Sequence, residues 1–237
     1  MMSLKPPHRP DPDSWLKIIA SAYALFDDAR SRGFGDPPFS LGGGTVLMLR
    51  FKHRLSIDID LFGYDAQWLS VLSPRLNEKA ASLATSYTEQ ANTIKIVMPH
   101  GDIDFVIAGD VAVPVERSKL VLAGREIMVD PTAEILAKKL FYRAATFKPR
   151  DVYDLSAAID LAPDSALRAV KAAVSKQALL LRRIGELETM GETALLGQIL
   201  PYQGPLLHAA GMLAKVKDFI LTRMQSSNPS DDRDGSI

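Results

Sequence analysis

The chain has no cysteine among its 237 residues. Disulfides, cysteine zinc sites, iron–sulfur clusters and thiol nucleophiles are therefore excluded. The chain also lacks an apolar run of the ~18–20 residues that a membrane span needs, and its N-terminus lacks the apolar core of a signal peptide. These absences predict a soluble, cytoplasmic protein without a membrane partner.

An excess of charge is also missing, because 28 basic residues balance 28 acidic ones. This balance excludes a nucleic-acid-binding protein that is basic over its whole surface, although it permits a local basic patch. Hydrophobic residues make up 47% of the chain, which is enough for a substantial core. The length of 237 residues fits one large domain or two small ones.

The spacing of apolar residues divides the chain into an α/β part and a helical part. Residues 1–13 and 226–237 are predicted to be disordered tails, since they are rich in proline or in polar groups. Strand patterns are predicted at residues 39–41, 55–62, 93–98, 102–108, 111–115 and 126–129. The predicted fold class is α+β, with a mixed β-sheet and flanking helices in residues 14–112 and a mostly helical region in residues 113–225.

The strongest local pattern is a run of three glycines, at residues 42–44, followed by Asp58 and Asp60. The two aspartates are two positions apart on a predicted strand, so they project from one face. Neighbouring carboxylates repel each other unless a cation neutralises them, and Mg²⁺ is commonly held by one or two carboxylates together with substrate phosphates. A glycine turn at a helix N-terminus lets backbone N–H groups approach a phosphate. The combination predicts a site for a nucleoside triphosphate with Mg²⁺.

Each half of this pattern has an ordinary interpretation when it is taken alone. A glycine run is commonly only a turn, and an Asp-x-Asp pair is commonly an exposed strand face. The order and spacing of the two halves favour a site. The pattern is neither a Walker loop nor a dinucleotide-binding fingerprint, because the residues that define those motifs are missing.

A third carboxylate would complete a site for two metal ions. Asp102 and Asp104 share one face of the strand at residues 102–108. Neighbouring strands lie about 4.8 Å apart, which allows a shared metal. We favour Asp104 because it lies further into the strand, whereas Asp102 adjoins the turn. An exposed surface position for both is the alternative.

A basic segment without any acidic residue follows further along the chain. It contains Lys138, Lys139, Arg143, Lys148 and Arg150. Lys139 and Arg143 are four positions apart and share a helix face, so together they could hold a triphosphate and stabilise the leaving pyrophosphate. Asp151 is placed to cap the next helix, and Asp154 to orient a basic side chain. A solvated basic helix with ordinary caps is the alternative.

Two segments resemble the nucleotidyltransferase AbiEii/AbiGii toxin family, within the DNA-polymerase-β-type nucleotidyltransferases. The first segment, GGGTVLMLRFKHRLSIDIDLF, carries the matching residues Gly43, Gly44, Thr45, Arg54, Ser56, Asp58 and Asp60. The second, AKKLFYRAATFKPRDVYDL, carries Lys138, Lys139, Arg143, Arg150, Asp151, Tyr153 and Asp154. The resemblance covers residues 41–155, and the helices beyond them carry no motif that matches.

The resemblance implies a nucleotidyltransferase-type sheet and transfer of a nucleoside monophosphate from a nucleoside triphosphate to an acceptor hydroxyl. Together with the residue patterns, it predicts catalytic roles for Asp58, Asp60, Asp104 and Lys139, with the three aspartates binding two Mg²⁺ ions. The residues predicted to bind the nucleotide are Gly43, Gly44, Thr45, Arg54, Ser56, Arg143, Arg150 and Asp151.

The resemblance further implies a toxin of a type IV toxin–antitoxin or abortive-infection system, with tRNA or another RNA as acceptor and a cognate antitoxin as partner. Two alternatives remain open at this point. The acceptor could be a protein or a small molecule, or the chain could be a nucleotide-binding module without turnover. The presence of both Asp58 and Asp60 argues against the second alternative.

Overall fold

The structure is a computed structural model, and it describes residues 11–224. The predicted tails lie outside these residues, apart from residues 11–13. The helices are α1 (Ser14–Ser31), α2 (Gly43–Phe51), α3 (Gln67–Leu72), α4 (Glu78–Leu83), α5 (Thr132–Tyr142), α6 (Pro149–Leu161), α7 (Pro163–Ala172), α8 (Gln177–Glu188), α9 (Glu192–Leu196) and α10 (Met212–Arg223). The strands are β1 (Ser40–Leu41), β2 (Ile59–Gly63), β3 (Ser86–Gln90), β4 (Thr93–Met98), β5 (Gly101–Ile107), β6 (Ser118–Leu122) and β7 (Arg125–Val129).

The seven strands form one mixed sheet in the order β3-β4-β5-β2-β1-β7-β6. The pairs β2–β5 and β1–β7 are parallel, and the other neighbours are antiparallel. Helices follow the sheet from residue 132 onwards. This arrangement confirms the predicted α+β fold class. Between residues 11 and 224, no helix combines the length and the apolar character that crossing a membrane would require.

The sheet is buried on one face by helix α1, whose apolar residues recur at helical spacing. Ile18, Ile19 and Leu25 of this helix are at most 1% exposed. Phe26 at its end lies against the rings of Phe39 and Phe105, with ring centroids 6.2 and 6.4 Å away. This packing holds the buried face of β2 and β5 in place, so the polar residues that alternate along those strands lie on the other face.

Several predicted elements differ from the observed ones for identifiable reasons. The sequence patterns missed β3 because all five of its residues are exposed and show no alternation. The extended piece predicted at residues 111–115 was wrong. The backbone N–H groups of Val111 and Ala112 donate to the carboxylate of Glu134, at 3.1 and 2.7 Å, instead of to a strand. The helix predicted at residues 165–190 is divided into α7 and α8.

The chain forms two compact units, and each contains three stretches of sequence. The first unit comprises the residues up to 110 together with 114–131 and 199–207. The second comprises 111–113, 132–198 and the residues from 208 onwards. Strands β6 and β7, which the sequence analysis assigned to the helical region, therefore belong to the first unit. Within that unit, the backbone N–H of Leu55 donates to the carbonyl of Leu200 at 2.7 Å.

Candidate functional site

The glycine run forms a sharp turn at the start of α2, against the next strand. Gly43 has a φ of +68°, a conformation that side chains other than glycine rarely adopt. A Cβ on Gly43 would lie 1.7 Å from Oδ2 of Asp60, and one on Gly44 would lie 2.6 Å from both Arg54 Nη2 and Ser56 Oγ. The missing side chains therefore allow three of the predicted site residues to contact the helix N-terminus directly.

Thr45 ties this turn to the segment that precedes β2. Its hydroxyl Oγ1 lies 2.5 Å from the carbonyl oxygen of Asp58 and 3.2 Å from that of Ser56. Strand β2 begins at Ile59, directly after these contacts, rather than at residue 55 as predicted. Arg54 is 4% exposed and donates from Nη1 to the carbonyl of Leu55 at 3.2 Å. The first motif is thus a connected structure around the start of α2.

The predicted carboxylates lie on adjacent strands. The parallel register of β2 and β5 pairs Asp60 with Asp104, while Ile59 and Ile103 point into the core. Asp58 lies directly before β2, and its Oδ1 accepts a hydrogen bond from the backbone N–H of Asp102 at 3.2 Å. The strand register therefore places Asp104 directly beside Asp60, whereas the backbone of Asp102 contacts Asp58.

The pKa values of these carboxylates reflect burial and mutual repulsion. Burial raises the pKa of Asp58; the charges of Asp102 and Asp60 raise it further, against a lowering effect of the Asp102 backbone hydrogen bond and Lys95. Burial, with a further contribution from Asp60, raises the pKa of Asp104 to about 6 despite the nearby Lys95. Cationic charge bound at this position would relieve the repulsion.

The sequence analysis missed Lys95, which the antiparallel register of β4 and β5 pairs with Asp104. Its Nζ lies 2.5 Å from Oδ2 of Asp102 and 3.3 Å from Oδ2 of Asp104. A signal was available, because Ile94 and Ile96 alternate with Lys95 along the strand and are fully buried. Lys95 must therefore share the polar face of the sheet with the aspartates.

The donor set suits Mg²⁺, which prefers oxygen ligands and usually takes one or two carboxylates, with phosphates and water completing its coordination. Asp58 and Asp60 supply two such carboxylates. In the part of the chain that the structure describes, no three His, Cys, Asp or Glu side chains are arranged around one metal position. Water or substrate oxygen atoms would therefore complete the coordination of a metal held here by Asp58 and Asp60.

We expect the burial of Asp104, together with its repulsion by Asp60, to show in the pH dependence of stability. Its pKa is about 6 in the folded protein, against an ordinary value of 3.8, so between these values the folded state binds more protons than the unfolded state. The stability of the wild type therefore falls as the pH rises through this window. An Asp104→Asn variant lacks this loss. Its stability relative to the wild type should improve by about 1–3 kcal/mol from pH 4 to pH 7.

Urea unfolding of the metal-free proteins at the two pH values measures this difference in the free energy of unfolding. A relative stability that stays constant, or that falls between pH 4 and pH 7, would show that Asp104 is not subject to the repulsion described above.

The second motif forms a buried ion cluster in the second unit. Nζ of Lys139 lies 2.6 Å from Oδ1 of Asp151 and 3.2 Å from Oδ2 of Asp154, and both aspartates are fully buried. The other oxygen of Asp151 accepts the backbone N–H of Lys148 at 3.1 Å and so caps α6. Burial tends to raise the pKa of Asp151, but Lys139 and Arg143 hold it below its ordinary value.

The remaining basic residues of this segment differ in their surroundings. Nη1 of Arg143 lies 3.6 Å from Asp151 and its side chain is 38% exposed, while Arg150 is half-buried. Nζ of Lys138 lies 3.4 Å from the buried Glu134, whereas Lys139, which the sequence favours for the site, lies beside Asp151. The sequence predicted Lys139 as a catalytic residue, and the structure adds that its ammonium group has two carboxylate partners.

Comparison with solved structures gives only distant likenesses. MenT4, a nucleotidyltransferase toxin from Mycobacterium tuberculosis, is 16% identical with a TM-score of 0.48, covering 88% of this chain and 82% of its own. An antigenic nucleotidyltransferase-like protein from Paracoccidioides brasiliensis is 15% identical with a TM-score of 0.43, covering 81% and 97% of the two chains. No curated protein matches the chain.

The family comparison is more specific. The model of the family described as "Nucleotidyl transferase AbiEii toxin, Type IV TA system" matches residues 24–208, which is most of the chain. The match includes both motifs and the strands that carry the carboxylates. The chain therefore belongs to the AbiEii toxin family and is a nucleotidyltransferase.

Proposed function

We propose that this nucleotidyltransferase uses Mg²⁺ to transfer a nucleoside monophosphate from a nucleoside triphosphate to a hydroxyl group of RNA, with tRNA as the favoured acceptor. We further propose that it acts as the toxin of a type IV toxin–antitoxin system. The observation that carries the proposal is the contact of the Asp60 carboxylate with the glycine turn at Gly43. It brings a metal-binding side chain to a helix N-terminus that can hold phosphate.

The glycine turn and its neighbours provide the phosphate-binding part of the proposed site. Helix α2 begins at Gly43, so its first backbone N–H groups have no acceptor within the helix and can donate to phosphate oxygens. The hydroxyl of Ser56 and the guanidinium of Arg54 lie beside Gly44. The predicted contacts of Lys139, Arg143, Arg150 and Asp151 with the triphosphate remain part of the proposal.

The carboxylates provide the reacting part. Asp58 and Asp60 would hold the Mg²⁺, which would supply positive charge to offset that of the phosphates and to lower the pKa of the acceptor hydroxyl. Asp104, beside Asp60, would orient the acceptor hydroxyl and take up its proton. The acceptor oxygen then bonds to the α-phosphorus as the bond to the bridging oxygen breaks, and pyrophosphate leaves. No covalent enzyme intermediate is required.

Transfer of label from each α-³²P nucleoside triphosphate into total RNA and protein tests the proposal. We expect the wild type to label RNA, and an Asp58→Asn variant to lose at least about a hundredfold in rate, because the metal site loses a charged ligand. Asp218→Asn, which alters an exposed aspartate of α10, is the matched control and should keep full activity.

The distribution of label distinguishes the alternatives. Label that enters protein and depends on Asp58 would show that the acceptor is a protein and not RNA. Nucleotide binding without label in either fraction would favour a small-molecule acceptor or a module without turnover. Equal labelling by the wild type and Asp58→Asn would overturn the assignment of the metal site. Growth arrest by the wild type but not by Asp58→Asn tests the toxin assignment in cells.

A further inference from the structure

The acidic cluster of the first unit has a cation of its own, and this cation is placed on one side of the cluster. Among residues 11–224, Lys95 is the basic residue within 4 Å of Asp102 and Asp104. The charge of Lys95 also acts on Asp58, where it is the smallest of the effects on the pKa of that carboxyl. Lys95 therefore offsets part of the negative charge of Asp102 and Asp104 and acts more weakly on Asp58.

The strand register fixes this arrangement. Lys95 on β4 pairs with Asp104 on β5, and Asp104 pairs with Asp60 on β2. The three residues therefore form a row across the sheet, on one face and about 4.8 Å apart from strand to strand. The ammonium group lies at one end of the row, and the glycine turn that Asp60 contacts lies at the other. The backbone holds the position of Lys95, which does not depend on a flexible loop.

The ammonium group of Lys95 lies against Asp104 on the side away from Asp60. At 2.5 Å from Asp102 and 3.3 Å from Asp104, Nζ lies between the two carboxylates. A divalent ion bound to Asp104 would have to displace it or bind against its positive charge. The side chain of Lys95 is 39% exposed, so its removal would leave a solvent-accessible opening and not a buried cavity.

We propose that the ammonium group of Lys95 takes the place of a second divalent cation beside Asp104, so that the enzyme binds a single Mg²⁺ at Asp58 and Asp60. The inference rests on the proposed function, since it concerns the metal site of the same reaction. It replaces the two metal ions expected from the sequence with one metal ion and one fixed lysine cation. The positive charge of Lys95 then acts on Asp104 whether or not Mg²⁺ is bound.

Titration with Mn²⁺, followed by the electron paramagnetic resonance signal of the free ion, tests the inference without any turnover. We expect the wild type to bind one ion, and a Lys95→Met variant to bind two, with the first held about tenfold or more tightly because a neighbouring positive charge is gone. Lys95→Arg, which keeps the charge, should bind one ion. Lys119→Met, which removes an exposed lysine paired with Glu126 on the same sheet, should also bind one.

The outcomes separate this inference from the proposed function. One ion in both the wild type and Lys95→Met, or two in the wild type, would overturn the role of Lys95 and leave the metal site intact. No ion bound by any variant would overturn both. In Lys95→Met, adding Asp104→Asn should return the stoichiometry to one, and a second ion that persists would place it elsewhere. Circular dichroism confirms that each variant is folded.

Discussion

A Gly43→Ala variant is expected to lose at least about a hundredfold in nucleotide transfer and about 2–5 kcal/mol in the free energy of unfolding. The added Cβ would lie 1.7 Å from the Asp60 carboxylate, so either the strand or the helix N-terminus must move. The φ of +68° adds strain of about 1–2 kcal/mol for a residue with a side chain, and overpacking adds about 1–3 kcal/mol. Urea unfolding and the labelling assay measure the two losses.

A Gly124→Ala variant is the control that distinguishes the effect of the contact with Asp60 from the effect of backbone strain. Gly124, in the turn between β6 and β7, also has a positive φ, +78°, but a Cβ there would meet no atom within 4 Å. This control should lose about 1 kcal/mol through strain alone and keep its transfer activity. If Gly43→Ala behaved like Gly124→Ala in both assays, the close approach of Asp60 to the glycine turn would have no functional importance.

A Lys139→Met variant is expected to lose about 3–5 kcal/mol of stability, because it leaves the buried carboxylates of Asp151 and Asp154 without their nearest cation. Arg143, 3.6 Å from Asp151, compensates only in part. Since the pKa of Asp151 is lowered in the folded protein, the stabilisation is present at neutral pH and is lost as the pH falls through that lowered value. The difference in the free energy of unfolding between Lys139→Met and the wild type should therefore become smaller at acidic pH.

Guanidinium unfolding at neutral and acidic pH measures this difference, and Lys119→Met is the control for an exposed pair. Lys119 and Glu126 are both more than 60% exposed, so that variant should lose less than about 1 kcal/mol. A loss of similar size in both variants would contradict the importance of the buried cluster. Transfer activity, measured where Lys139→Met is still folded, tests the separate prediction that Lys139 takes part in catalysis.

The first motif was predictable because each of its signals is local. Alternation with period two placed Asp58, Asp60 and Asp104 on one face of their strands, and the glycine run indicated a turn before α2. The register that places Asp104 beside Asp60 joins β2 and β5, which are adjacent in the sheet but not consecutive in the chain. The sequence is compatible with this register but does not require it. Asp104 was preferred to Asp102 as the third carboxylate because it lies further into the strand.

The less predictable features depend on pairing between distant residues. The alternation of Lys95 with the buried Ile94 and Ile96 indicates which face of the sheet it lies on, but its pairing with Asp104 depends on the register of two strands. The basic segment suggested a solvent-facing cationic surface, yet Lys139 is 8% exposed and pairs with carboxylates twelve and fifteen positions along the chain. Spacing within one helix reveals which residues share a face but not which charges a later helix presents.

The order of the two units along the chain restricts how this fold can be rearranged. Leu55, next to Ser56 in the first motif, donates its N–H to Leu200, in a stretch that follows α5 to α9 in the sequence. A gene fragment ending at residue 131 would encode Asp58, Asp60 and Asp104 but not Leu200, whose carbonyl accepts the N–H of Leu55. Recombination between related genes at that position would join residues from two different proteins within the first unit, because that unit also contains residues 199–207. Residues 1–131 therefore do not form a self-contained unit that could be exchanged alone.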